Sequence, residues 1–168
     1  MKIADTLLLD FDHIIDNTRR THEVLPLDLD ANWAPHPKSM PVGRLAMHCA
    51  TICLYGEAIC TQDGLDLAKM SSWSQTMLAW KGTQAALDAL KNSAAKCRTS
   101  LAAISDEAML KPWRFSMGDH LISEAPRAVT MRSLCMDHLV HHTAQLGVYL
   151  RLLNLPIPGL YGPSADGN

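Results

Sequence analysis

Apolar residues in this chain recur at spacings of three and four over long stretches, and proline falls between those stretches, not within them. That pattern writes one apolar stripe along each of several amphipathic helices, which must bury their stripes against one another. The first stretch runs from about Ile3 to Val24, with Ile3, Leu7, Phe11, Ile14, Ile15 and Thr18 on one side. Asp5, Asp12 and Asp16 fall on another side, where solvated surface is the expectation for Asp12 and Asp16. The connection "LPLDLDANWAPHPKSMP" follows, with four prolines in seventeen residues. Proline lacks the amide hydrogen and clashes with a preceding turn, so this segment reads as extended.

A second helix is expected to open near Ser39 or Met40, with Ser39 as cap and Pro41 in the first turn, and to reach about Gln62. "QDGLDLAKMSSW" is a shorter break. A third helix is expected from about Ser74 to Ile104, with Met77, Trp80, Gln84, Leu87, Ala94 and Leu101 supplying much of one face. The segment "SDEAMLKPWRFSMGDHLISEAPR" has mixed periodicity and reads as an irregular excursion with room for a short hairpin. The fourth helix is expected from about Ala128 to Leu153, and residues 154–168 form a non-helical tail rich in proline and glycine. Four long helices, one proline-rich connection and one irregular one give an all-α, four-helix bundle, and a length of 168 residues suits a single domain.

Composition removes several classes of function. With 15 Lys and Arg against 17 Asp and Glu, the net charge is −2, so no basic stripe for a nucleic acid is expected. Asp10 and Asp12 interrupt the N-terminal apolar run, and no stretch approaches the roughly 18 apolar residues that span a bilayer. A cytoplasmic protein without membrane contact is the expectation. The five cysteines form no CxxC pair, and in a reducing compartment they read as small buried hydrophobes.

Within "CMDHLVHHTAQLGVYL", residues 135–150, three of the chain's eight histidines lie within five positions. His138 and His142 are one helical turn apart and share a face with Met131, Cys135, Gln145 and Tyr149, whereas His141 points about 100° away from His142. Two histidines four apart on one face can supply two ligands to one metal ion, although packing histidines also occur at this spacing. The second helix offers His48 among Leu45, Ala46, Cys49 and Ile52. Three buried imidazoles without partners are costly, and one shared cation satisfies them together. Three protein ligands leave coordination positions open. Gln145 stands either to orient a ligand or as plain helix polarity; Tyr149 reads as core; Cys135 and Cys49 are weaker ligand candidates. His13, His22, His36 and His120 lack a helical partner at ligand spacing and read as surface or loop residues.

The stretches "HPKSMPVGRLAMHC", "HLVHHTAQLGVYLR" and "PIPGLYGPSAD", in this order, resemble the DinB family of bacterial metal-binding helix bundles over nearly the whole chain. The resemblance implies a divalent metal ion (zinc, nickel, manganese or iron) held by His48, His138 and His142. It also implies homodimers and, from some members, transfer of a low-molecular-weight thiol to an electrophilic small molecule. Other members imply a hydrolase acting through metal-bound hydroxide, or a non-catalytic stress-response bundle. One departure stands out. Members often read His-Arg-Gly-Gln where this chain reads His142-Thr143-Ala144-Gln145, so any contact made by that arginine is lost here.

Overall fold

The first helix, α1 (Ile3–Glu23), starts where the Asp5 carboxylate accepts the Lys2 amide at 2.8 Å, and Asp106 accepts the next amide, that of Ile3, at 2.8 Å. Carboxylates at a helix start satisfy orphan N–H groups and complement the helix dipole. Ala4, Leu7, Phe11, Ile14 and Thr18 are buried as the spacing requires. The chain is described here from a computed structural model, over residues 1–70 and 76–167.

The proline-rich connection folds back over the start of α2 (Val42–Thr51). Its carbonyls at Trp33 and Ala31 accept the amides of Val42 and Gly43 at 2.9 and 3.0 Å. Pro41, not Ser39, is therefore the capping residue, because backbone carbonyls already take the orphan donors a serine would serve. A Cβ at Gly43 would stand 2.6 Å from the Cβ of Ala31, so only glycine permits this approach. Ile52 keeps helical dihedrals and joins α2 to α3 (Cys53–Thr61), close to the expected end at Gln62.

A three-stranded sheet corrects the all-α expectation; the protein is mostly helical, not wholly so. β1 (Gly64–Asp66) lies parallel to β2 (Pro112–Met117), which pairs antiparallel with β3 (His120–Pro126). A 3₁₀ turn, Leu67–Met70, follows β1. Trp113 and Phe115, two apart and so on one face of the strand, turn inward and stack with ring centroids 6.2 Å apart. Trp113 Nε1 donates to the Gln62 carbonyl at 3.0 Å. The buried Arg127 guanidinium donates to the carbonyls of Ile59 and Gln62 at 2.9 and 3.0 Å, and so caps the end of α3.

The third long helix, α4, spans Thr83–Ala103 and opens at Gly82, whose φ of 99° is open to glycine far more than to other residues. The expected start at Ser74 lies outside the described residues, and Met77 belongs to a separate helical turn. The buried face is Thr83, Ala86, Leu90, Ser93, Ala94, Cys97 and Leu101, so Gln84, expected inward, is exposed. After the short α5 (Asp106–Leu110) and the β2–β3 hairpin, helical backbone resumes as α6 (Arg127–Thr130). It continues through a π-helical segment, Met131–Asp137, into α7 (His138–Leu152). The helices α1 and α2 both pack against α4 and α7, around a core that includes Phe11, Leu45, Ile52, Leu101, Leu139 and Leu146.

His22 is not the surface residue its isolation in the sequence implied. It is fully buried, with its ring nitrogens 2.8 Å from the Thr18 carbonyl and 2.9 Å from that of Ala46, joining α1 to α2. Burial without a counter-charge pushes its pKa below the ordinary histidine value. His13, His36 and His120 are exposed as expected.

Candidate metal centre

The α2–α7 contact brings His48 opposite His138 and His142, which stand one turn apart on α7. One ring nitrogen of each lies within 4.8 Å of one in each of the others. The rings of His138 and His142 are both close to that of His48, with centroids 5.0 and 4.7 Å away. Among the described residues, no other group of three or more histidines, cysteines and carboxylates converges in this way.

Hydrogen bonds at the outer nitrogens decide what the inner nitrogens offer. His138 Nδ1 lies 3.2 Å from the carbonyl of Leu134, within the π-helical segment. A carbonyl only accepts, so Nδ1 carries the proton and Nε2 keeps a lone pair. His142 Nδ1 donates in the same way to Gln145 Oε1 at 2.8 Å, while the Gln145 amide donates to the Tyr149 hydroxyl at 3.4 Å. Tyr149 is buried and meets Trp33 edge-on, at a centroid distance of 5.6 Å. The proline-rich connection thus braces the tyrosine that braces the glutamine that aims His142.

His48 Nε2 stands 3.2 Å from His138 Nε2. That spacing is satisfied by one proton between the two nitrogens or by a cation they share. Burial pushes the His48 pKa down to about 3, helped by repulsion from His142 and His138. Burial also lowers His138 and His142, with further repulsion among the imidazoles. Neutral imidazoles with lone pairs turned to one point are the donor set that zinc and neighbouring divalent ions accept. The residues therefore fit the expected ion.

Several expectations are settled by position. Gln145 orients His142, and its place three residues on, along the same face, was the readable signal. His141 is exposed and lies beside His142 with ring centroids 4.7 Å apart, outside the convergent group. Cys135 and Cys49 are buried and also lie outside it. Asp12 and Asp16 form exposed ion pairs with Arg98 and Arg19.

A cleft of about 610 Å³, missed by sequence reasoning, opens beside His48 between α3 and α4. Leu54, Tyr55, Ala58, Leu65 and Ala89 give it an apolar wall, and Asn92 and Lys96 add polar groups. Leu65 comes from β1, so the sheet closes one end.

Two expectations follow directly. Gln145→Leu frees the His142 ring, and loss of such an outer contact typically costs about 10–100-fold in metal affinity. Competition against a chromophoric chelator measures this, and an unchanged affinity would contradict the assigned role. The second concerns pH in the metal-free protein. His22, His48, His138 and His142 all have lowered pKa values when folded, whereas unfolded they titrate near the ordinary histidine value of about 6.5. Below that pH the unfolded chain binds more protons, so the stability present above it is lost as pH falls toward the folded values. Each histidine contributes a slope of at most about 1.4 kcal/mol per pH unit. Urea midpoints should therefore drop between about pH 7 and pH 5, before most carboxylates titrate. A flat profile over that range would contradict burial of these rings as bases.

Comparison with solved structures identifies the architecture. A DinB-like protein from Bacillus cereus superposes with a TM-score of 0.68, at 18% identity, over 92% of this chain and 95% of that one. A DinB-like protein from Bacillus subtilis gives a TM-score of 0.64, at 17% identity, over 89% and 92%. No family model matches the sequence, and no curated protein does. The fold is DinB-like; at these identities the chemistry must be argued from the residues.

Proposed function

We propose that His48, His138 and His142 hold one divalent metal ion and that the protein is an enzyme transferring a low-molecular-weight thiol to an electrophilic small molecule. The observation that carries the metal is the pair of fixed tautomers, each leaving Nε2 with a lone pair, on rings whose nitrogens converge with that of His48. Such an ion supplies Lewis acidity, which promotes loss of a proton from a thiol or water at its open positions. His48 belongs both to the histidine group and to the wall of the cleft, so a molecule in the cleft lies beside the site. The apolar wall shelters the carbon skeleton of an electrophile from water, while Asn92 and Lys96 can bind a polar end. Tyr55 lies on the same wall, its ring centroid 6.2 Å from that of His138, and burial raises its pKa, so it stays a proton donor at neutral pH.

The transfer reading is tested with metal-loaded protein, chlorodinitrobenzene as electrophile, and glutathione, bacillithiol or mycothiol in turn. Thiol-dependent product formation that disappears in His142→Ala supports it. Turnover of activated esters without thiol would replace it with a hydrolase. Metal binding without either reaction would leave a binding protein.

A further inference from the structure

Below the histidine group, on the inner side of the same helix, the chain gathers sulfur. Cys53 from α3, Cys97 from α4 and Cys135 from the π-helical segment are all fully buried, and so is Met131. Cys97, Cys135 and Met131 meet over Gly56, in the middle of α3. A Cβ built on Gly56 would be 3.3 Å from Met131 Sδ, 2.9 Å from Cys135 Sγ, and closer still to Cys97 Sγ. Glycine in a helix interior is unfavourable by roughly 1 kcal/mol against alanine, and here its bare α-carbon is what lets one sulfur from α4 and two from the π-helical segment approach one spot. The three thiols do not close into one group as tightly as the imidazoles do. The converging set is Cys97 and Cys135 with the Met131 thioether.

We propose that Cys97 and Cys135, backed by Met131, form a second metal site, selective for a thiophilic divalent cation such as cadmium or mercury. Softness selects the ion, because thiolate and thioether prefer polarizable metals over the harder ions that imidazole and carboxylate accept. Charge does so as well. Two thiolates neutralise a dication, and a neutral set is what a fully buried site requires. Binding forms two metal–sulfur bonds and releases two thiol protons, with no change of oxidation state. Ser93 marks the way in, since it lines the cleft and lies one turn before Cys97 on the buried face of α4. This site is independent of the proposed reaction.

The test is anaerobic titration of the reduced protein with cadmium, reading the near-ultraviolet thiolate-to-cadmium charge-transfer absorbance, which imidazole ligation does not produce. The absorbance should saturate near about one ion per chain, persist in His48→Ala, and be lost in Cys97→Ser and in Cys135→Ser. Wild-type protein gives a second readout that needs no variant. Pulsed alkylation in urea strong enough to expose the thiols of the metal-free protein, followed by peptide mass mapping, should show Cys97 and Cys135 protected only after loading with cadmium, with the half-buried Cys60 reactive either way. No charge-transfer absorbance in the wild type under excess cadmium, or absorbance that survives both serine variants, overturns the proposal.

Discussion

Replacing His48 with alanine should lower the affinity for a divalent metal ion by more than about 100-fold while the metal-free protein stays folded. Loss of an outer hydrogen bond to a ligand already costs about 10–100-fold, and here a ligand itself is removed. What remains is the His138–His142 pair on a single helix, with nothing from α2 to close the set. The fold should tolerate the change, because among the described residues the His48 ring hydrogen-bonds His138 Nε2 alone, and its side chain borders the cleft. Chelator competition and a urea denaturation curve, both on the same preparation, separate the two effects. Affinity within a few-fold of wild type would remove His48 from the site. Collapse of the metal-free fold would make it a packing residue.

Trp113→Ala should cost about 3–5 kcal/mol of stability, the range for truncating a fully buried indole. Trp113 is 1% exposed, stacks on Phe115, and donates to the same Gln62 carbonyl that Arg127 caps. The effect should extend to the cleft. β2 holds β1 through the Leu65–Phe115 pairing, and Leu65 is part of the cleft wall. Urea denaturation measures the loss, and a change below about 1 kcal/mol would show that the sheet does not hold the end of α3.

These two residues mark the limits of what the sequence discloses. His48, His138 and His142 were legible because a four-residue spacing fixes a shared helical face, and because a lone histidine among apolar neighbours in another helix demands a partner. The stripe of α1 was legible for the same reason, over five turns without interruption. The sheet was not. β1 has three residues, too few for an alternation to register, and its parallel partner lies some fifty residues away in the chain.

Other features escaped for physical reasons of their own. The cap of α2 was misassigned because its donors are taken by carbonyls of a folded-back connection, and backbone acceptors carry no residue signature. The start of α4 depends on a left-handed backbone at Gly82, which only the dihedral angle discloses. Simple 3.6-residue counting across 127–152 ignores the π-helical segment, which adds residues to each hydrogen-bonded turn and resets the register just before His138. His22 has no neighbour at ligand spacing, but its partners are two carbonyls, invisible to any reading of side chains.

The central claim is that one divalent ion joins α2 to α7 through three imidazoles, and metal content tests it most directly. Untagged protein, wild type and the His48→Ala, His138→Ala and His142→Ala variants, is measured by elemental mass spectrometry after reloading with zinc, nickel or manganese and desalting. The account expects about one ion per chain in the wild type and little in each variant. A wild type that retains almost none of any of the three metals would contradict it, and would return the histidines to hydrogen bonding among themselves.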